Sequence, residues 1–253
     1  MKITFLGTGT SQGVPVIACG CTVCASADPR DQRLRSSVMI EEKGRVAVID
    51  TGPDFRQQML RAKAGRLDAV IFTHEHKDHT AGFDDIRAFN FVLQKKIDVY
   101  ATERMERVIR REFPYIFEED KYPGVPEIEL HRIDHRPFSA GGMDFIPVEV
   151  MHYRLPVLGF RIGDFTYITD ANSIPEPEKE KVRGSKVLVL NALRKTKHVS
   201  HFTLDEAVAL AQELDAGITY LTHISHQMGL HEEVERELPS HVRLAYDGLV
   251  LDL

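Results

Sequence analysis

Apolar positions along the chain fall into short runs that stop abruptly, separated by stretches with helical spacing. Ala69-Val70-Ile71-Phe72 is the clearest run, with β-branched residues in its middle and an abrupt end at Thr73, which predicts a buried strand. Ile3–Leu6, Ile97–Tyr100, Asp144–Val150, Val157–Ile162, Phe165–Thr169 and Ile218–Leu221 read the same way. Ser37–Glu42 and Val46–Ile49 read as a hairpin joined through Lys43-Gly44. Between the strands, Asp54–Lys63, Phe83–Leu93, Thr102–Phe113 and Thr203–Leu214 read as helices. In the first of these, Phe55, Met59 and Leu60 share a face that should pack on a sheet. Thr203 followed by Glu206 forms the pattern of a capping box. No internal repeat, low-complexity tract or linker interrupts the pattern, so one domain over 1–253 is expected.

Composition narrows the picture. A chain of 253 residues with 43% hydrophobic content can bury a large core. Its formal charge of −6 argues against a surface built for polyanions, and so against a nucleic-acid partner. The apolar stretch in Met1–Gly7 is too short for a signal peptide, and no run approaches a membrane span. A cytoplasmic protein without a membrane partner is expected.

The chemistry concentrates in His74-Glu75-His76-Lys77-Asp78-His79, directly after the strand that ends at Phe72. Three imidazoles and a ligand carboxylate in one turn suit Zn, Mn or Fe. In an irregular turn, His74 and His76 could hold one ion while Asp78 and His79 hold a second. Two such cations acidify water and polarise a phosphoryl oxygen. All three cysteines form a second cluster, Cys19-Gly20-Cys21-x-x-Cys24. Three thiolates leave a tetrahedral zinc one ligand short, so a histidine elsewhere should complete the set.

Three further stretches carry weaker signals. Asp50, at the end of its strand, is either a turn former or a carboxylate holding a ligand imidazole. Gly7-Thr8-Gly9-Thr10-Ser11-Gln12-Gly13 is a tight turn or a phosphate contact, and it lacks the Lys-Ser/Thr of a P-loop. Phe113–Gly124 is aromatic and acidic, so its rings should line the rim of the site or a dimer contact.

Thr73-His74-x-His76-x-Asp78-His79-x-x-Gly82 resembles the signature of the metallo-β-lactamase superfamily. The resemblance implies an α/β fold, a four-layer αββα sandwich with the site between the sheets. It also implies that His74, His76 and His152 hold one divalent cation, that Asp78, His79 and His223 hold another, and that Asp170 bridges them. His152, Asp170 and His223 each follow an apolar strand, as His74 does. A finer likeness is to the cyclic phosphodiesterases of phosphonate breakdown, the PhnP type. It rests on Gly7-Thr8-Gly9-x-x-Gln12-Gly13-Val14-Pro15, the cysteines, Leu221-Thr222-His223-Ile224-Ser225-His226-Gln227 and Tyr246-Asp247-Gly248.

That likeness implies a structural zinc on Cys19, Cys21, Cys24 and His226. It makes Asp78 and His201 the catalytic residues, with His201 as the proton donor and His198 as the fallback. The implied activity is hydrolysis of a small phosphodiester, with two Zn or Mn ions in the active site. The chain departs from the pattern around Asn191–Arg194 and from Phe83 to Pro126, regions that shape substrate choice. Thioesterases and lactonases share the motif and stay open as rivals, whereas a β-lactamase would want a thiolate ligand that no late cysteine supplies. A tRNA 3′-processing nuclease would need a basic arm, and the longest insertion, Phe113–Glu129, is acidic. A non-catalytic metal-stabilised protein is the rival outside enzymes.

Overall fold

In a computed structural model that describes all 253 residues, the apolar runs become strands of two seven-stranded mixed sheets. The first contains β1 (Lys2–Gly7), β2 (Ser37–Glu42), β3 (Arg45–Ile49), β4 (Ala69–Ile71), β5 (Ile97–Ala101) and β6 (Ile128–Arg132) in sequence order. The second contains β7 (Phe138–Ala140), β8 (Met143–His152), β9 (Leu155–Ile162), β10 (Phe165–Ile168), β11 (Val187–Asn191), β12 (Ile218–Thr222) and β13 (Val242–Leu244), also in order. The last strand, β14 (Val250–Asp252), returns to the first sheet and pairs antiparallel with β1.

Six helices cover the outside, α1 (Phe55–Ala62), α3 (Arg87–Leu93), α4 (Glu103–Glu112), α5 (Glu176–Val182), α6 (Leu204–Glu213) and α7 (His231–Glu237), and a single-turn helix, α2 (Lys77–Thr80), follows β4. Three apolar clusters define the layers. One lies between the sheets and joins Phe5, Ile40 and Ile71 to Phe145, Phe160 and Tyr167. A second packs α1, α3 and α4 on the first sheet through Met59, Phe89 and Ile109, and a third packs α5, α6 and α7 on the second through Val182, Leu210 and Val234. Each fully buried large side chain contributes ~1.5–3 kcal/mol. The fold is thus the expected αββα sandwich.

β3 to β6 run parallel, as do β10 to β13, so the C-terminal ends of each set face one edge. Side chains delivered by several different strands can meet there. At that edge the sheets touch, for the Leu158 amide of β9 donates to the Thr73 carbonyl just beyond β4 at 3.2 Å.

Three local expectations change. Leu60 is 62% exposed, because α1 turns Phe55, Gln58 and Met59 inward instead. The span Phe83–Leu93 begins with a 3-10 turn over Phe83–Ile86 before α3. In the aromatic, acidic stretch, Ile116 is buried and Phe113, Tyr115 and Phe117 pack against the outer cluster of the first sheet; Tyr122 alone among its rings stands fully exposed. Apolar area is better hidden under α4 than on a rim, and the acidic residues stay in water.

Candidate active site

His74 and His76 follow β4, Asp78 and His79 open α2, and His152 closes β8, while Asp170 and His223 follow β10 and β12. These side chains meet at the shared edge in two groups, His74–His76–His152–Asp170 and Asp78–His79–Asp170–His223, with Asp170 common to both. His74 Nε2 lies 3.0 Å from His76 Nδ1 and 3.7 Å from Asp170 Oδ2. His79 Nε2 lies 3.2 Å from Asp78 and 3.4 Å from Asp170, and His223 Nδ1 lies 3.0 Å from the other Asp170 oxygen. Ligands bound tetrahedrally at 2.0–2.1 Å would stand about 3.3 Å apart, so the cage has the right span for divalent cations. Inside it, His79 Nε2 and His223 Nδ1 are buried without a hydrogen-bond partner. A buried orphan costs stability unless something pairs it, and a cation does so. The residues fit the metals.

Electrostatics agrees. Burial pushes the pKa of His74 well below its usual value and lowers that of His76. Burial also opposes charge on His79, but the carboxylates of Asp170, Asp78 and Asp50 outweigh it and draw positive charge into the cage. Burial works against the ionised Asp170 too, yet the His223 and His79 rings hold its carboxyl well below the usual range.

Asp50 holds an imidazole rather than merely forming a turn. Its Oδ2 accepts the His79 Nδ1–H at 2.6 Å and the Thr73 hydroxyl at 2.7 Å, while Oδ1 accepts the Thr73 amide at 2.9 Å. Because the Thr73 hydroxyl spends its proton on Asp50, it accepts from His74 Nδ1–H at 2.9 Å. One carboxylate thereby orients a histidine in each group and leaves Nε2 free, the role of an outer hydrogen bond at a metal site. His152 Nδ1 donates to the Ser200 carbonyl at 2.9 Å. Asp50, Asp170 and His223 all take left-handed backbone angles, a strain that packing must hold in place. Gly82 lets the turn close, since a Cβ there would meet the Gly52 carbonyl oxygen at 2.1 Å.

His201 packs against this cage. Its ring is 4.7 Å from both His152 and His223 by centroid, and its Nδ1 is buried and unpartnered. Burial pushes its pKa down to about 3. His198 stands one ring further out, 5.2 Å from His201, with Nδ1 accepting from Ser200. The segment between β11 and α6 is a loop, and Thr203 and Glu206 form the capping box at the start of α6.

The cysteines lie elsewhere on the surface. Cys19, Cys21 and Cys24 place sulfur 3.3, 3.4 and 3.4 Å from His226 Nδ1, close to the ~3.6 Å edge of a tetrahedron with Zn–S of about 2.3 Å. The Cys24 amide pulls the Cys21 thiol down to about 6, whereas burial pushes Cys24 up to about 11. Adjacent thiolates resist sharing negative charge, and a bound cation removes that conflict. All three are free thiols.

Sequence reasoning missed the supports and the rim. Ser200 and Thr10 act through hydrogen bonds to histidines across the fold, and Thr73 through one to its neighbour His74. An open cleft of about 490 Å³ leads to His76 and His152 and is lined by Arg104, Tyr153, Arg154 and Val199. Arg104 pairs with Glu75 at 2.5 Å, so the unused Glu of the His-rich turn anchors an arginine from α4. The Arg154 guanidinium lies 5.2 Å over the Tyr153 ring.

Residues 45–224 match the family model of the beta-lactamase superfamily domain. A solved structure described as a new diphosphatase from the PhnP family is 44% identical, with a TM-score of 0.93 over 100% of this chain and 97% of that one. The octanoyltransferase of Porphyromonas gingivalis is 39% identical over 252 residues, 98% of this chain and 51% of that protein, so the chain spans about half the length of that curated relative. Ribonuclease Z of Pyrobaculum islandicum is 24% identical across 89% of this chain and 87% of its own. No helix is long and apolar enough to cross a membrane. With a family model over most of its length and a solved relative alike from end to end, the chain belongs to the metallo-β-lactamase superfamily and, within it, to the PhnP family.

Proposed function

We propose that the protein hydrolyses a small phosphodiester at the histidine–carboxylate cage, using two divalent cations, Zn or Mn. That it is a metal-dependent hydrolase follows from its family. The observation that carries the substrate class is the cleft of about 490 Å³ beside His76 and His152, sized for a small molecule and walled by Arg104 and Arg154. The PhnP relative is named a diphosphatase, and a diphosphate offers the same charged phosphorus and bridging oxygen.

His74, His76 and His152 would hold one ion and Asp78, His79 and His223 the other, with Asp170 between them. When bound, the ions acidify water for attack and neutralise charge on the phosphoryl group. The chain's own residues do the rest. Asp50 and Thr73 fix the tautomers of His79 and His74, so both present Nε2 inward. Arg154 and Arg104 offer cationic groups to phosphate oxygens, and Tyr153 offers an aromatic face. His201 donates a proton to the leaving oxygen. Burial keeps that ring neutral on its own, and an anion seated against it favours the protonated form. His198, one ring further out with its Nδ1 engaged by Ser200, is the fallback donor.

Cys19, Cys21, Cys24 and His226 would hold a third, structural zinc, since thiolates favour zinc over harder ions. The tRNA-processing reading is less favoured, because the segment that would have to grip tRNA is acidic and packs its apolar side chains on the first sheet. The decisive experiment is a panel of cyclic and linear phosphodiesters and diphosphates, assayed with chelated protein and again after Mn or Zn reloading. Metal-dependent turnover of a small phosphodiester is expected. Turnover of thioesters or lactones alone would sink the reading.

A further inference from the structure

The glycine-rich loop after β1 has no part in the chemistry above, and its geometry assigns it one. Loops of this kind bind phosphate through free amides. Here four of the amides are committed: Thr8 N–H donates to Asp247 Oδ1 at 2.9 Å, Gly9 N–H to the Leu34 carbonyl at 2.8 Å, Thr10 N–H to the Ile224 carbonyl at 3.1 Å and Gly13 N–H to the Thr10 carbonyl at 2.8 Å. Those four amides are therefore closed to an anion. The loop runs beside the segment that follows β12, with Ile224 N–H donating back to the Thr8 carbonyl at 2.9 Å. Residues 8 and 10 so bracket the position next to His223. The Thr10 hydroxyl, itself buried, lies 3.4 Å from His223 Nε2, the ring nitrogen pointing away from Asp170.

The loop is anchored from behind. Asp247 Oδ1 also accepts the Thr8 hydroxyl at 2.8 Å, and its Oδ2 accepts the Leu34 amide at 2.8 Å. The buried guanidinium of Arg33 donates to Thr8 Oγ1 at 2.8 Å and to the Ala245 carbonyl at 2.6 Å. Segments 8–10, 33–35 and 245–247 are thus tied together by one buried cation and one buried anion. Gly9 fits because a Cβ there would meet the Arg33 carbonyl oxygen at 2.8 Å. His223 has a left-handed backbone, a conformation that needs such restraint.

We propose that Thr10 is a positioning residue for His223, and that the braced loop fixes the ring so that Nδ1 faces the second ion. The inference rests on the reading of His223 as a metal ligand. It implies that the Gly-Thr-Gly-Thr and Tyr-Asp-Gly motifs are two halves of one device, joined at Thr8 and Asp247.

The test measures manganese binding on protein whose thiolate site keeps its zinc, since Mn suits the histidine–carboxylate cage and thiolates favour zinc. Electron paramagnetic resonance of free and exchange-coupled Mn gives the two dissociation constants and reports when both ions share one site. Thr10→Val removes the hydroxyl but keeps the shape. The second Mn should then bind about 10–100-fold more weakly, the usual loss for a hydrogen bond behind a metal ligand. The first Mn and the thermal unfolding of manganese-free protein should not change, and Thr10→Ser should restore the wild-type constants. Unchanged binding of both ions in Thr10→Val overturns the proposal, as does equal weakening of both or a failure of Thr10→Ser to restore. Turnover does not enter this measurement. Wild-type protein that binds two Mn ions yet hydrolyses no phosphodiester would sink the proposed function and leave the brace standing, whereas wild type that binds fewer than two overturns the brace itself.

Discussion

His223 and His226 lie three residues apart on one loop, yet they belong to two candidate metal-binding groups built in opposite ways. The histidine–carboxylate cage draws its side chains from both sheets, between His74 and His223, and buries most of them. Every strand that supplies it is packed in the core, and Asp50, Thr73, Ser200 and Thr10 hold its rings from outside. The cysteine cluster takes three of its four residues from one short loop, half-buried on the surface, with no regular strand or helix between Cys19 and Cys24. The sandwich holds the first group through packed strands and hydrogen bonds from distant segments. The second has no such scaffold, so an ion bound there would contribute more to local folding, as in small zinc sites. Losses at the cage should therefore appear in rate, and losses at the cysteines in stability.

The largest break comes at the shared carboxylate. Asp170→Asn keeps the shape but weakens the hold on both cations. Losing several kcal/mol of charge stabilisation corresponds to about 10⁴-fold in rate. Turnover should collapse by that order while thermal unfolding hardly moves. A variant with near-normal turnover would refute the bridging role.

Next is His201→Ala. Substrates with alkoxide leaving groups should slow by about 10²–10⁴-fold, the worth of a positioned proton donor. Esters that release p-nitrophenolate need no proton and should lose far less, with both ions still bound. Equal losses on the two substrate types would make His201 a charge-stabilising group instead.

Cys21→Ser probes the other half of the contrast. Metal analysis should fall by one zinc per chain, and the melting temperature should drop. Turnover at saturating Mn should fall by about tenfold at most, the low end of an indirect effect on a metal site. A larger loss of rate than of stability would show that the two groups are not independent.

The smallest effect is one of pH beside the cysteine loop. Burial, then the charges of Arg33 and Arg30, push His231 down to about 4, and its amide is bound by Asp31. An unfolded histidine takes up its proton near 6.5. The unfolded state thus binds more protons between these values, and stability falls as pH drops from about 6.5 to about 4. His231→Gln should flatten that part of the stability profile. An unchanged profile would remove His231 as the cause.

Much was legible in the sequence, for reasons of spacing. The run before His74 and the hexapeptide itself are local, so period and residue type suffice to read a strand end bearing ligands. The αββα fold and the positions of His152, Asp170 and His223 came from resemblance, and the sandwich brings those residues to the cage. β6, β11, β13 and β14 are absent from the sequence reading. Leu60 was read as packed because a helical pattern gives a face but not the width of the sheet beneath it.

The sequence by itself determined the two local clusters that could bind metal, His74–His79 behind its strand and Cys19–Cys24, because ligand type and spacing are properties of neighbouring residues. Only the tertiary structure decided what holds the cage's side chains in place. Asp50 reaches His79, Ser200 reaches His152 and Thr10 reaches His223 across 29, 48 and 213 positions. A hydrogen bond between distant segments leaves no periodic trace in a single chain, since it exists only once both sheets have folded and met at one edge.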